Sequence, residues 1–145
     1  GQLGDGSTSS RSLPVNVVGL SSGIVSVAAG GSHNCAVTNT GAAKCWGSNF
    51  SGQLGDSTTT RRSTPVDVIT LNHNVTRLIA GGSHTCALLS SGAVKCWGSN
   101  GNGQLGIGVS STRITPIDVV GLSSGIAMIN AAGTASCAVT SGGGS

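Results

Sequence analysis

Apolar residues in this chain come in short bursts separated by glycines and hydroxyl residues. In residues 64–69, Val66 and Val68 alternate with Asp67, the two-residue period of a half-buried strand. Pro65 has no backbone donor, which suits the start of an edge strand. Residues 75–80 are β-branched and mostly apolar, and Gly81-Gly82 then permits a sharp bend or close backbone packing. Residues 84–89 form a third predicted strand. Ser90-Ser91-Gly92 is a short hairpin loop, with Gly92 able to take positive φ, and residues 93–98 form a fourth strand. The Asn- and Gly-rich residues 99–106 lead onward as a loop. No stretch sustains a 3.6-residue apolar period, and glycine interrupts every candidate helix. The pattern predicts an all-β chain with almost no helix.

The pattern recurs every 51 residues. Gly-Gln-Leu-Gly begins at Gly1, Gly52 and Gly103, and the same shift relates Cys35, Cys86 and Cys137. It also relates Cys45 to Cys96, Trp46 to Trp97, and Arg11 to Arg62 and Arg113. The register is 1–51, 52–102 and a truncated 103–145. Four short antiparallel strands in a repeat of this length are the content of a propeller blade. A residue present in every copy is expected to build the copy, whereas recognition chemistry should differ between copies.

The cysteines fit the hairpins. Cys86 and Cys96 flank a loop centred on Ser91 and so lie opposite one another, as do Cys35 and Cys45 about Thr40. Opposed residues on antiparallel strands come close enough for disulfides, and Cys35–Cys45 and Cys86–Cys96 are predicted. Each closes a short loop and should add roughly 2–3 kcal/mol. Cys137 has no mate. Paired cysteines in successive repeats point to an oxidising, extracellular location.

Composition narrows the function. Charged residues make up 8% and aromatics 2%, while glycine numbers 25. The only carboxylates are Asp5, Asp56, Asp67 and Asp118, a thin supply for acid–base chemistry. The net charge of +3 is spread over the copies, with no basic cluster beyond Arg61-Arg62, a poor footprint for nucleic acid. There is no apolar run of membrane-spanning length and no secretion signal. The chain opens on Gly1 inside a repeat motif, which predicts a fragment of a longer polypeptide.

Residues 80–88 (Ala-Gly-Gly-Ser-His-Thr-Cys-Ala-Leu), 92–100 (Gly-Ala-Val-Lys-Cys-Trp-Gly-Ser-Asn) and Gly103-Gln-Leu-Gly106 resemble the regulator of chromosome condensation (RCC1) repeat. The first copy matches equally well, and the likeness covers nearly the whole chain. The paired cysteines are similar to those of secreted bacterial members. The third copy departs from the pattern: Ala132-Gly133-Thr134-Ala135-Ser136-Cys137 has no histidine, and the chain stops at Ser145 before a Lys-Cys-Trp-Gly segment. The resemblance implies a β-propeller, here an incomplete ring or an open array whose raw faces need neighbours from the same polypeptide or from other chains.

The candidate sites follow from these patterns. His33 and His84 each stand two residues before a cysteine, on one strand face with it, but the disulfides consume the thiols that zinc would need. A half-buried histidine donating to a backbone carbonyl near the Gly-Gly bend is expected instead. Ser32-His33 and Ser83-His84 point to opposite faces, with no recurring carboxylate for a triad. Gly101-Asn-Gly103-Gln-Leu-Gly106 fits a dinucleotide fingerprint in letters but lacks the helix it requires. Trp46 and Trp97 are expected to pack between blades, and Lys44 and Lys95 to be solvated. No cofactor, metal or catalytic residue is expected.

Binding should use rim loops on a rigid scaffold: Asn49, Phe50 and Ser51; Asp56 to Arg62, including Arg61; and Asn100 to Asn102. Asn49-Phe-Ser51 and Asn74-Val-Thr76 are glycosylation acceptor patterns. The leading expectation is a non-enzymatic extracellular binding or scaffold module taking a protein partner or further copies of the repeat. A glycan-bearing subunit of a surface filament or sheath is the alternative. Guanine-nucleotide exchange on a small GTPase ranks last, because the name-giving relative works in the nucleus, where disulfides are misplaced.

Overall fold

The computed structural model describes residues 1–142, so the last residues of the truncated third copy lie outside the described residues. Ten strands and no helix occur among them. They are β1 (Ile24–Ala29), β2 (His33–Thr38), β3 (Ala43–Gly47), β4 (Arg62–Asp67), β5 (Val75–Ala80), β6 (His84–Leu89), β7 (Val94–Gly98), β8 (Arg113–Asp118), β9 (Ile126–Ala132) and β10 (Ala135–Thr140). They form two four-stranded antiparallel sheets, β1-β2-β3-β4 and β5-β6-β7-β8, and a two-stranded sheet, β9-β10.

The sheets are out of phase with the sequence repeat. The strand at residues 64–69, read above as the first of the middle blade, is β4, the outer strand of the blade before it. Lys44 pairs with Asp67 and Cys45 with Val66, and β8 likewise closes the second sheet through Lys95↔Asp118 and Cys96↔Ile117. Each blade therefore takes three strands from one copy and its outer strand from the next. Pro65 and Pro116 sit on these outer edges, where a missing donor costs no ladder bond. Lys44 and Lys95 are not simply solvated: each pairs at 2.7 Å with Asp67 or Asp118 across the outer strands.

The hairpin register is the one predicted. Cys35 faces Cys45 and Cys86 faces Cys96, both pairs are disulfides, and their Cα atoms are 4.1 Å apart. Gly92 adopts φ +78°, closing the second hairpin.

Successive sheets pack face to face through two cores that repeat each other. The first gathers Cys35, Val37, Ala43, Cys45, Leu54, Val68, Leu71, Val75, Leu78, Ala87 and Trp97. The second gathers Cys86, Leu88, Val94, Cys96, Leu105, Ile126 and Ile129, the same positions one repeat later, together with Ile79. The Gly-Gly bends meet across the first seam, where Gly31 N–H donates to the Gly81 carbonyl at 3.1 Å. A Cβ on Gly30 would come within 2.6 Å of that same carbonyl, so the contact requires glycine.

Candidate binding rim

At the end of the sheets that carries the Gly-Gly bends, residues 48–61 join β3 to β4 and residues 99–112 join β7 to β8. The first of these loops is built around Asn49. Its Nδ2 donates to Asp56 Oδ1 at 3.0 Å and to the Thr58 and Thr60 carbonyls, and its Oδ1 accepts from Leu54 N–H. Asp56 in turn accepts from Thr58 and pairs with Arg62 at 2.8 Å. Burial pulls the Asp56 carboxyl upward, yet hydrogen bonds from Thr58, Arg62 and Asn49 outweigh it and hold the group below its ordinary value. Asp5, Ser7 and Arg11 repeat part of this clasp at the start of the chain.

Several candidate contact residues are therefore internal. Asn49 and Asn100 are fully buried, Asn100 bonding the Val109 and Ser111 carbonyls and Leu105 N–H. Their amides hold the loop backbone and are withdrawn from any partner, and the Asn49 glycosylation pattern is sealed for the same reason. Asp56 and Arg62 are spent on one another. Asn74 is exposed, at φ +64° in the turn before β5.

Phe50, Ser51 and Arg61 remain on the surface, and the structure brings them together. With Gln2, Ser32, Ser48, Gln53 and Ser83 they line a groove of about 440 Å³. Phe50 is 78% exposed and Arg61 is exposed beside the same groove. Neither recurs: Gly101 replaces Phe50 one copy on, and Ser10 and Thr112 flank Arg61 in register. Asn102 lies apart, at the mouth of a second cavity between the second and third sheets, beside Gln104, whose Oε1 accepts from the Asn102 N–H. An exposed ring, a guanidinium and several hydroxyls, with no carboxylate among the lining residues, equip the groove to hold an acceptor-bearing ligand.

The histidines are neither half-buried nor bonded to a backbone carbonyl. His33 and His84 are fully buried and reach across the seams to hydroxyls, His33 Nε2 to Thr85 Oγ1 at 2.9 Å and His84 Nε2 to Ser136 Oγ at 2.8 Å. Thr85 Oγ1–H donates to the Gln53 carbonyl, so Thr85 accepts and the His33 proton resides on Nε2. Neither Nδ1 has a partner. Burial, reinforced by the neighbouring His84, pushes His33 down to about 4, and burial lowers His84 as well. The signal for this ladder was present in the sequence: the residue after each His, and its counterpart in the third copy, is a short polar one, Asn34, Thr85 and Ser136. The Gln53 carbonyl also accepts from Trp97 Nε1 at 2.9 Å, as the Gln2 carbonyl does from Trp46 Nε1.

Repeated four-stranded antiparallel sheets packed face to face, with connecting loops gathered at one end, define a segment of a β-propeller-type repeat array. The chain belongs to the regulator of chromosome condensation (RCC1) repeat family, whose models match residues 1–37, 43–88 and 91–139 and, in a second form, residues 24–53 and 77–104. Among its relatives is the RCC1 domain-containing protein RUG3, mitochondrial, of Arabidopsis thaliana. It is 33% identical over 134 residues, which span 91% of this chain and 30% of RUG3. The human probable E3 ubiquitin-protein ligase HERC4 is 37% identical over 124 residues, 83% of this chain and 12% of that protein. Yeast RCC1 (Prp20), in its crystal structure bound to Kap60, superposes with TM-score 0.66 at 25% identity, over 81% of this chain and 30% of that one. The chain thus spans about a third or less of the length of these relatives.

Proposed function

We propose that the chain is a non-enzymatic, extracellular binding and scaffold module that takes a protein partner in the rim groove of Phe50 and Arg61. The carrying observation is that the one phenylalanine of the chain stands 78% exposed beside an arginine, both found in a single copy, while the recurring residues around them are buried in the clasp. Aromatic and arginine side chains are favoured interface anchors. The groove suits a segment presenting an apolar side chain next to a carboxylate. The binding of Kap60 by yeast RCC1 (Prp20) supports protein recognition as the mode of action. The paired cysteines of both hairpins support an oxidising compartment.

Selection of a displayed peptide library on the intact chain tests the site. The selected peptides are expected to be acidic and apolar, and Phe50→Ala with Arg61→Ala should release them while the hairpin disulfides stay intact. Peptides indifferent to both substitutions would refute the assignment. Mass spectrometry of the protein from its source, with and without reductant, tests the compartment: free thiols at Cys35 and Cys45 would remove it. Assays for hydrolysis and for nucleotide exchange on a small GTPase are expected to show no turnover.

A second reading, a subunit of a surface filament or sheath, is favoured by one observation. The outward face of the first sheet is open along Val17, Leu20, Ile24, Val27 and Trp46, a groove of about 340 Å³. Electron microscopy separates discrete particles from filaments. On this reading the exposed Asn74 is the glycan acceptor.

A further inference from the structure

The copies share one clasp, and two of them fill it with their own aspartate. Asp56 Oδ1 accepts from Asn49 Nδ2 at 3.0 Å, from Thr58 N–H at 3.0 Å and from the Thr58 hydroxyl at 2.7 Å, and its Oδ2 accepts from Arg62 Nε at 2.9 Å. Asp5 Oδ1 likewise accepts from the Ser7 N–H and hydroxyl, and its Oδ2 from Arg11 Nε at 3.0 Å. Every one of these partners of Asp56 comes from residues 49–62. Their counterparts one repeat later are Asn100, Val109 and Arg113, all within the second blade, whose four strands are complete.

The third clasp keeps the frame and lacks the carboxylate. Asn100 Nδ2 donates to the Val109 carbonyl at 2.6 Å and to the Ser111 carbonyl at 3.3 Å, as Asn49 does to those of Thr58 and Thr60. Asn100 Oδ1 accepts from Leu105 N–H at 2.9 Å, as Asn49 Oδ1 does from Leu54 N–H at 3.0 Å. Ile107 takes the place of Asp56 in the sequence but packs against the second core. Arg113 Nε is left buried with no partner, and the Val109 N–H, in the place of the Thr58 N–H, has none among the described residues. A buried cationic donor without an acceptor forfeits the charge-assisted bond that its two counterparts keep. No side chain of the protein restores it: the four aspartates are paired with Arg11, Arg62, Lys44 and Lys95. Val109 is 53% exposed, so the loop is open to solvent beside these donors.

We propose that residues 99–113 form a receptor for a carboxylate from outside the chain, one oxygen taking the Arg113 Nε–H and the other the Val109 N–H. These are the places that Asp56 Oδ2 and Oδ1 fill one copy earlier. A guanidinium beside an amide donor matches the two oxygens of a planar acid. The acid is the side chain of a partner's aspartate or a free acid of the size of acetate, which is that side chain without its backbone. Binding is reversible and forms no covalent bond. None of residues 99–113 lines the groove of Phe50 and Arg61, so this site does not rest on that one.

The test titrates the intact chain with acetate and with a blocked aspartate, N-acetylaspartate N-methylamide, at neutral pH and constant ionic strength, and follows arginine and amide resonances by NMR. The Arg113 Nε–H resonance should move toward those of Arg11 and Arg62, which already meet a carboxylate, while those two stay fixed. Arg113→Gln should raise the half-saturating concentration, read at the Val109 amide, about tenfold or more. Ile107→Asp should fill the site from within, giving the shifted Arg113 resonance with no probe added and no further response to acetate. Tighter binding of blocked aspartate than of acetate marks a partner's side chain as the source, and the reverse order marks a free acid; either upholds the receptor. An unmoved Arg113 resonance, an equal response to chloride, a stronger response to inorganic phosphate, or a folded Ile107→Asp chain that still responds would each overturn it. The titration of the unaltered chain decides alone, so a misfolded variant cannot imitate the result.

Discussion

The seam between the first and second sheets and the seam between the second and third are built from the same positions one repeat apart, yet one is closed and the other open. In the first, Leu54, Trp97 and the Cys35–Cys45 cystine are almost wholly buried. In the second, Leu105 and Ile129 are buried, but a cavity lined by Val94, Val119 and Leu122 runs between the faces. The difference comes down to a strand. The closing indole and second cysteine ride on the third strand of a blade, and the third sheet has only its first two among the described residues.

Trp97→Ala should erase the contrast by opening the closed seam. Emptying a fully buried indole site costs about 3–5 kcal/mol, against a smaller loss for Trp46→Ala, whose ring is 5% exposed and borders the outward groove rather than a closed seam. Urea unfolding of the two variants gives the comparison directly, and equal losses would break it.

Acid should act on the closed seam as well. His33 titrates at about 4 in the folded chain against 6.5 when free, so the unfolded chain binds the extra proton between those values. The stabilisation is complete above pH 6.5 and is lost as pH falls toward 4, a change on the order of 3 kcal/mol. His33→Gln should flatten that part of the pH profile of the urea midpoint.

Removing the second bridge by Cys86→Ser with Cys96→Ser should cost about 2–3 kcal/mol, since the loop it closes is short. Thermal melts with and without reductant should show about twice that loss for the wild type, which has both bridges, and a loss of that size for the double variant, which keeps Cys35–Cys45.

The smallest effect concerns the clasp. Ile107 stands in the third copy where Asp5 and Asp56 stand in the others, and Arg113 Nε is buried without a partner there. Asp56→Ile should recreate that state around Arg62, at about 1–2 kcal/mol. Faster proteolysis within residues 48–61 would report it, and an unchanged rate would mean that the pairing with Arg62 does not hold the loop.

Much of this was legible in the sequence because a repeat is a measurement made several times. The 51-residue register, the hairpin centres and the strand-rich pattern led to both disulfides and to the absence of helix. The phase of the blades was not legible: a periodic pattern fits any phase, and only pairing across the copy boundary selects one. The charge pairs Lys44–Asp67 and Lys95–Asp118 were the available clue. Asn49 and Asn100 look like loop-tip residues by type, yet their recurrence marked them as builders. Phe50 and Arg61 were identified as loop residues, but their meeting in one groove depends on how the clasp folds the loop, which composition does not reveal.

Zero-length carbodiimide coupling between lysines and aspartates tests the blade phase most directly. The account predicts Lys44–Asp67 and Lys95–Asp118 products, the second joining the second copy to the third. A Lys95–Asp67 product in their place would contradict it, because it would put the outer strand back in its own copy.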